Sequence, residues 1–442
     1  MHQASRLSRR TKLSPDQQVL LELRLHGGLA DGGLAAKIER RSDQGIAPLS
    51  LAQEGQWLLQ QRFPDSAMLN IFRTLRLTGP FDLGVLELAL DEVVRRHDAL
   101  RTNIRVVDGI PLQVIRPPEP VSVRTIDLTG LPAAERRPEL VRWLRKRTAE
   151  PFDLAQDALF RFDLVEMSEE DHIVLFNLHH IVGDGWSLGV LARETSSLYK
   201  SIGKGRASRL PELSQQYGDY AAWQRSRLRG DAIEKQLSFW RARLANAPET
   251  IELPYDRPRP RERSFRGAQS SVALARPLVA RLRQLCQREQ TTLFMVMIGA
   301  LAALFHRYSG ATDLVIGSPV ANRGLREIEP LIGLFMNPAA FRFDLSGDPP
   351  FREFLGRVRA DAIEVFNNQD VAFETLVHEL GVPRHAEHEP RRRGDDPVAG
   401  GHDQVDAART AGHILLVPAP GGHTDALEHR HDARRAVPDR ER

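Results

Sequence analysis

The chain has 442 residues, which is too long for one ordinary hydrophobic core and favours two domains. Its net charge of +3, spread over interspersed basic and acidic residues, argues against a nucleic-acid-binding protein. The single cysteine, Cys286, excludes an internal disulfide framework and makes a reducing, cytoplasmic setting the expectation.

The N-terminal residues 1–46 are polar and carry one helical pattern, from Ser14 to Gly28. No apolar signal-peptide region follows the basic N-terminus, and the most apolar run, Leu293–Phe305, is too short to span a bilayer. These patterns predict a linker with one helix before the first domain, and no membrane segment. The apolar run itself is predicted to be a buried core helix.

From residue 47 to 215, segments with helical periodicity alternate with segments of strand periodicity. The predicted helices are 50–62, 82–100, 133–152 and 188–200, and the predicted strands are 68–79, 159–168 and 171–181. A β-hairpin is expected over 102–116, because Asp108-Gly109 is a typical two-residue turn. Long helices that alternate with strands, with few hairpins, predict an α/β fold.

A connector near residues 215–265 ends in a segment rich in proline and arginine, and the mixed pattern then resumes. The predicted helices of this part are 277–288, 291–308 and 350–366, and the predicted strands are 313–321 and 337–345. The sequence therefore predicts two α/β halves of comparable size, 47–215 and 216–383.

Residues 384–442 differ in composition from the rest of the chain: they are rich in histidine and arginine and contain no Phe, Tyr, Trp or Lys. Such a segment cannot bury much apolar surface, so a disordered or aberrant tail is predicted. A shifted reading frame in GC-rich DNA would give the same composition and is an alternative. The histidine spacings follow no metal-ligand pattern, so no metal site is predicted in the tail.

Two adjacent histidines, His179 and His180, stand in the stretch NLHHIVGDGWSLG at the end of a predicted strand. Successive side chains of a strand point to opposite faces, so the two imidazoles are not expected to share a metal ion. The helical His-Glu-x-x-His spacing of zinc hydrolases is also missing. One histidine at the carboxyl end of the strand would face a cleft, where it could accept a proton near neutral pH. On spacing alone, two ordinary polar residues are the favoured interpretation.

Asp184 follows these histidines across a tight turn that Gly183 and Gly185 are expected to permit. It lies too far along the chain to be assumed a partner of either imidazole. Pairing with an arginine, which would fix the turn, is the alternative.

The stretch from His179 to Glu194 resembles the His-His-x-x-x-Asp-Gly motif of the condensation domains of nonribosomal peptide synthetases, which are chloramphenicol acetyltransferase-like acyltransferases. Further motifs similar to those of that family stand in the family's order: LSLAQEGQWLL, RHDALRTNI, YGDYAAWQ, IGLFMNPAAFR and NNQDVAFETLV. Departures are Glu54-Gly55-Gln56, where the family has arginine and leucine, and Pro338, where threonine is common. The resemblance covers residues 48 to about 383 and is lost after Arg384, so the second half is expected to be incomplete.

The resemblance implies two acetyltransferase-like subdomains that form a V-shaped pseudodimer with a tunnel between them. Such domains join an acyl or peptidyl thioester on an upstream carrier protein to the amine of an aminoacyl thioester on a downstream carrier. The domain itself would bind no cofactor, because phosphopantetheine arms of the partner carriers deliver both substrates. An adjacent adenylation domain is a further implied partner.

By the same resemblance His180 would lie in the tunnel, as a base for the attacking amine or as a hydrogen-bond partner that orients it. The backbone N–H groups of Gly185 and Trp186, at the start of the next helix, would stabilise the tetrahedral oxyanion. Ser187 would donate a hydrogen bond there or cap the helix, with capping favoured. Asn337 would line the tunnel.

Structural roles are implied for the other motif residues. Asp184 would form a salt bridge, with Arg323 as its leading partner, and Arg101 would have a similar role. His179 would turn into the packing.

Two other functions stay open. One is an ester-forming or epimerising relative among the same acyltransferases, although GWSLGVLARE resembles the peptide-forming members more closely. The other is a truncated or degenerate domain without activity that only docks carriers.

Overall fold

The computed structural model describes residues 37–256 and 272–381. The linker helix predicted at 14–28 and the tail 384–442 lie outside these residues. Within them helices and strands alternate as predicted, and the fold is of the α/β class.

The first half of the described chain is built around two β-sheets. Its strands are β1 (Ile46–Pro48), β2 (Asn70–Thr78), β3 (Thr102–Val107), β4 (Ile110–Ile115), β5 (Arg124–Asp127), β6 (Phe160–Ser168) and β7 (Asp171–His179). Its helices are α1 (Leu51–Arg62), α2 (Leu83–Arg96), α3 (Ala133–Thr148), α4 (Gly185–Ile202) and α5 (Tyr217–Arg227). The larger sheet has the order β2-β7-β6-β5 and the smaller one β1-β4-β3. Among these strands only β5 and β6 pair in parallel, so hairpins are more frequent than the sequence predicted.

Local sequence signals account for several boundaries. α1 begins after Ser50, whose hydroxyl accepts from the Gln53 backbone N–H at 3.1 Å while the Gln53 side chain accepts from the Ser50 N–H, which is a capping box. The predicted hairpin is confirmed: β3 and β4 are joined by Asp108 and Gly109, with φ of 51° and 78°. β7 is buried along nearly its whole length, which explains its continuous apolar sequence.

The second half contains helices and one pair of strands in the described residues. They are α6 (Asp231–Leu244), α7 (Arg276–Glu289), α8 (Leu293–Ser309), β8 (Asp313–Val320), β9 (Asn337–Asp344), α9 (Phe351–Asn367) and α10 (Phe373–Glu379), with β8 and β9 antiparallel. The predicted core helix is confirmed, since α8 buries Met295, Ile298 and Ala302. In this described part of the chain no single helix is long and apolar enough to cross a membrane; α7 and α8 pass that test only as a pair bent by 101°.

Two large hydrophobic cores organise these elements, and a small third cluster of Leu128, Val165 and Ile173 packs against α3. The first contains the buried faces of α2, α4, β6 and β7, and the second those of α8, β8, β9 and α9. Two segments beyond residue 215, where the sequence divided the halves, belong to the first core: α5, through Tyr217 and Tyr220, and residues 328–335. The segment 328–335, named the crossing segment below, therefore brings part of the second half to the first.

Candidate active site

The strand β7 leads into a short 3-10 turn, His180–Val182, that precedes α4. Two glutamines of α1 hold this turn. Gln53 Nε2 donates to the carbonyl oxygen of Ile181 at 3.0 Å, and Gln60 Oε1 lies 3.3 Å from His179 Nε2. Sequence reasoning missed both glutamines; the presence of Gln53 in the motif LSLAQEGQWLL was the available signal.

The His180 ring is oriented by its own turn. Its Nδ1 lies 2.8 Å from the carbonyl oxygen of Gly183, and because a carbonyl oxygen only accepts, Nδ1 carries the proton. In the neutral imidazole Nε2 is then an acceptor, and no described residue hydrogen-bonds to it. The residue is half-buried. His180 can therefore accept a hydrogen bond, or a proton, from an amine at Nε2.

The His179 ring lies in the protein interior. The residue is 1% exposed, its Nδ1 accepts from the Ile181 N–H at 3.1 Å, and its ring meets Phe152 edge-on at 6.2 Å between centroids. Burial, and next the charge of His180, lower the pKa of His179 to about 3. His179 is thus a neutral packing residue near neutral pH, and the two rings of the motif have different environments.

Asp184 caps α4 and ties it to the second half. Its Oδ1 accepts from the Ser187 N–H at 2.8 Å and from Arg323 Nη2 at 3.2 Å, and its Oδ2 accepts from the Phe335 N–H at 3.1 Å. The residue is only 2% exposed. A carboxylate with this set of donors is a structural anchor, and among the described residues it has no contact with the His180 ring.

Arg323 extends the same anchor to the crossing segment. Its Nη1 donates to the carbonyl oxygens of Ile328 at 2.7 Å and Leu331 at 2.8 Å, and its Cζ lies 4.1 Å from the centre of the Phe335 ring. Burial lowers the pKa of Arg323, and the neighbouring Asp184 carboxylate acts in the opposite direction. The pair holds the start of α4 against the segment 328–335.

Ser187 has neither of the roles expected from the sequence. Asp184 is the N-cap of α4, and Ser187 lies inside the first turn with no exposed surface. Its hydroxyl lies 2.8 Å from Asp184 Oδ1 and 2.9 Å from the carbonyl oxygen of Gly333, and it accepts from the Gly333 N–H at 3.1 Å. These contacts fix the crossing segment and leave the hydroxyl no free surface toward a tunnel.

The two glycines of the motif do not permit the turn in the way expected. Gly183 has an extended φ of −168°, and neither Gly183 nor Gly185 has a positive φ. A Cβ at Gly185 would meet nothing within 4 Å, so the absent side chain keeps space open at the start of α4. In the described structure the N–H groups of Gly185 and Trp186 have no acceptor, which is usual for the first turn of a helix.

Trp186 and Asn337, both expected to line a tunnel, have their polar atoms engaged. Trp186 Nε1 donates to the carbonyl oxygen of Glu329 at 2.9 Å, which adds another contact between α4 and the crossing segment. Asn337 Nδ2 donates to the carbonyl oxygens of Gln369 and Val371 at 2.8 and 2.7 Å. The Asn337 amide therefore braces the chain before α10, and its Nδ2 is not available to a ligand.

Arg101 lies within the first half and contacts neither the His180 turn nor Arg323 in the described structure. Its guanidinium pairs with Asp98 and donates to the carbonyl oxygen of Arg116.

His97, in the same motif, links α4 to the crossing segment. Its Nε2 lies 3.0 Å from Glu194 Oε2, and its Nδ1 accepts from the Ile332 N–H at 3.4 Å.

Gly333 is a further residue that sequence reasoning missed. A Cβ at this position would lie 1.9 Å from Cδ2 of Tyr217. The Tyr217 hydroxyl donates to the carbonyl oxygen of Leu334 at 2.6 Å and lies 2.8 Å from Ser50 Oγ. The signal was spread over two motifs, YGDYAAWQ and IGLFMNPAAFR, and nothing in either one shows that they touch.

The comparisons with known proteins agree with this fold. The family model described as the condensation domain matches residues 43–391. The chain belongs to this family, whose members in nonribosomal peptide synthetases are acyltransferases that form amide bonds. The resemblance to condensation domains and the α/β fold predicted from the sequence are confirmed at this level.

A linear gramicidin synthase of Brevibacillus parabrevis is 41% identical over 364 residues, which are 82% of this chain and 7% of that protein. The X-domain in complex with OxyB from teicoplanin biosynthesis is 32% identical with a TM-score of 0.67, covering 79% of this chain and 76% of that one. The first condensation domain of the CDA synthetase, 24% identical, shares the fold with a TM-score of 0.67 over 77% of this chain and 80% of that one. The chain thus spans a small part of the curated synthase.

Proposed function

We propose that residues 47–383 join the acyl or peptidyl thioester of an upstream carrier protein to the amine of a downstream aminoacyl thioester. The observation that supports this most is the contact between His180 Nδ1 and the Gly183 carbonyl oxygen, 2.8 Å, in a chain of the condensation family. It leaves Nε2 as the acceptor at the end of β7.

In the proposed reaction the amine nitrogen attacks the thioester carbonyl carbon. The new C–N bond forms and the C–S bond breaks, so the upstream arm leaves as a thiol with the proton that the amine gives up. His180 Nε2 accepts the amine N–H, either to take this proton or to orient the nitrogen lone pair toward the carbonyl. The unpaired N–H groups of Gly185 and Trp186 at the start of α4 are the proposed donors to the tetrahedral oxyanion.

The proposed substrates arrive on phosphopantetheine arms of two carrier proteins, with an adenylation domain as the neighbouring partner. The arms would meet in a tunnel between the halves 47–215 and 216–383, arranged as a V-shaped pseudodimer. The crossing segment and the Asp184–Arg323 pair support this proposal because both join the two halves next to His180. A cytoplasmic setting, an incomplete second half and the absence of a resident cofactor or metal stay predictions.

The test is amide formation in a two-module assay with both carriers loaded. His180→Ala should lower the rate by roughly 10²–10⁴-fold, the usual contribution of general acid–base catalysis. His378→Ala, at an exposed histidine of α10, is the matched control and should leave the rate unchanged. Unchanged amide formation in His180→Ala would remove this residue from the mechanism, and high activity in His180→Gln would favour orientation over proton transfer.

A second candidate is a domain that only docks a partner; the similar X-domain from teicoplanin biosynthesis forms a complex with OxyB, which supports a binding role. In that case a folded chain would bind its partner while the wild-type protein formed no amide. The same two-module assay, run beside a binding measurement with each carrier, distinguishes the two functions.

A further inference from the structure

A cavity of about 350 Å³ lies in the first half, and no residue of the His180 turn lines it. It opens beside the start of β6, between the turn that follows α2 and the segment that leads into β5. Five arginines line it: Arg101, Arg116, Arg124, Arg147 and Arg161. Glu119 is the one acidic residue of the lining, so the wall carries a clear positive excess. This site is named the arginine cavity below.

Three of these guanidinium groups are already paired with carboxylates that do not line the cavity. The pairs are Arg101 with Asp98, Arg147 with Asp163 at 3.0 Å and with Glu150, and Arg161 with Asp157 at 3.6 Å. Arg116 and Arg124 form no ion pair in the described structure. Arg124 lies opposite Asp163 in the β5–β6 register but makes no hydrogen bond to it. Burial raises the pKa of the Asp163 carboxyl, and the charges of Arg147 and Arg124 act in the opposite direction.

The cavity wall has more hydrogen-bond donors than acceptors. Burial, and then the positive charge of Arg147, lower the pKa of Arg161, which shows that the guanidinium groups repel one another. An anion in the cavity would accept hydrogen bonds from the accessible guanidinium groups and offset this repulsion.

The rest of the lining is mainly apolar. Leu100, Phe160 and Phe162 lie there, together with prolines of the segment that leads to β5. A site with an apolar wall and a few convergent charged groups is typical of small-molecule sites, and this volume is at the lower end of their range. A phosphate group has several oxygens that accept from different guanidinium groups at once, which a single carboxylate does less well.

We propose that the arginine cavity binds a small phosphate monoester with an apolar substituent. The phosphate would lie against Arg116 and Arg124 and the substituent against Phe160 and Phe162. None of these residues has a part in the amide-forming site, so the inference does not depend on the proposed function. No bond is made or broken in this binding step.

Isothermal titration of the purified chain with phenyl phosphate tests the proposal, with inorganic phosphate and benzyl alcohol as partial probes. Saturable binding of phenyl phosphate, tighter than that of either partial probe, is expected. The double variant Arg116→Gln/Arg124→Gln should bind it at least about tenfold more weakly, because each charged hydrogen bond contributes substantially. Both side chains lack an ion-pair partner in the described structure, so the variant should still fold; a cooperative thermal transition checks this.

Two further variants separate the cavity from general surface charge. Arg137→Gln removes one exposed positive charge of α3 outside the cavity and should leave binding unchanged. Ala158→Trp, at an exposed position of the cavity wall, should block binding with no change of charge. The proposal is overturned by the absence of saturable binding, by an equal loss in Arg137→Gln, or by unchanged binding in Ala158→Trp.

Discussion

At the scale of single residues, Asp184 explains more of the site than either histidine. Its carboxylate caps α4, accepts a hydrogen bond from the Phe335 N–H and forms a salt bridge with Arg323. The carboxylate and the guanidinium group are both buried. A buried charge is tolerated only while its partner is present. Asp184 thereby makes the geometry of the His180 turn depend on a residue 139 positions further along the chain.

The variant Asp184→Ala should be strongly destabilised. It leaves the buried Arg323 guanidinium without a carboxylate, which costs about 3–5 kcal/mol when one partner of a buried pair is removed. The control is Asp171→Ala, which removes an exposed pair with Arg76 and should cost about 1 kcal/mol or less. Urea unfolding measures both. An Asp184→Ala protein that is stable but inactive would contradict the structural role.

The buried, neutral His179 should make the folding stability sensitive to acid. Its folded-state pKa of about 3 lies below the ordinary 6.5, so below pH 6.5 the unfolded chain binds a proton that the folded chain does not. The stability that the neutral ring contributes is therefore present above pH 6.5 and is lost as the pH falls toward 3. Between pH 7 and pH 5 the loss should be about 2 kcal/mol.

Urea unfolding at the two pH values, in wild type and in His179→Gln, isolates this contribution from that of other groups. Glutamine can make the same hydrogen bonds without titrating, so the variant should lose about 2 kcal/mol less than wild type. His378→Gln, at an exposed histidine, should behave as wild type does. Identical pH dependence in wild type and His179→Gln would refute the assignment.

At the scale of elements, the crossing segment and α5 meet most closely at Gly333. The ring of Tyr217 is almost fully buried, so it cannot move away from a new methyl group. Gly333→Ala should cost at least about 1–3 kcal/mol of unfolding free energy, as overpacking does. Gly317→Ala, in β8, is the control, because a Cβ there would meet nothing within 4 Å. Equal stability of the two variants would show that the contact relaxes.

The variant Gly185→Ala, at the start of α4, should change the activity without changing the stability. Its Cβ would enter open space at the start of α4, so the unfolding free energy should stay within about 0.5 kcal/mol of wild type. If the first turn of α4 receives the oxyanion, amide formation should fall by tenfold or more. A fully active Gly185→Ala protein would show that the first turn of α4 does not bind the oxyanion.

Periodicity predicted most of the helices and strands, because they follow from local patterns of apolar residues. The hairpin at Asp108-Gly109 and the core helix α8 are examples. The same local reasoning predicted that the turn before α4 needs backbone conformations that only glycine adopts easily. Gly183 is in fact extended. It also gave Ser187 the capping role that Asp184 has, since both residue types cap helices and only the structure shows where α4 begins.

At the scale of the whole molecule, the first core is completed by the second half. Leu331, Leu334 and Phe335 are buried in it, and Arg323 anchors the segment that carries them. We therefore expect residues 37–230, expressed alone, to lack a cooperative thermal transition that residues 37–381 show. A cooperative transition of the shorter chain at the same temperature would mean that the halves fold independently.

The sequence by itself determined the α/β class, most of the helices and strands, and the family, because these depend on local periodicity and on short motifs; β1, β5, α5 and α6 were not predicted. It also separated the two histidines, since neighbouring residues of a strand face opposite sides. Only the tertiary structure decided that Gln53, Tyr217 and Gly333 belong to the site, and that Ser187 and Asn337 are bound to backbone groups. These contacts join segments far apart in the chain, and the partners of Gln53, Ser187 and Asn337 are backbone carbonyl oxygens, which are the same in every residue and leave no trace in the sequence.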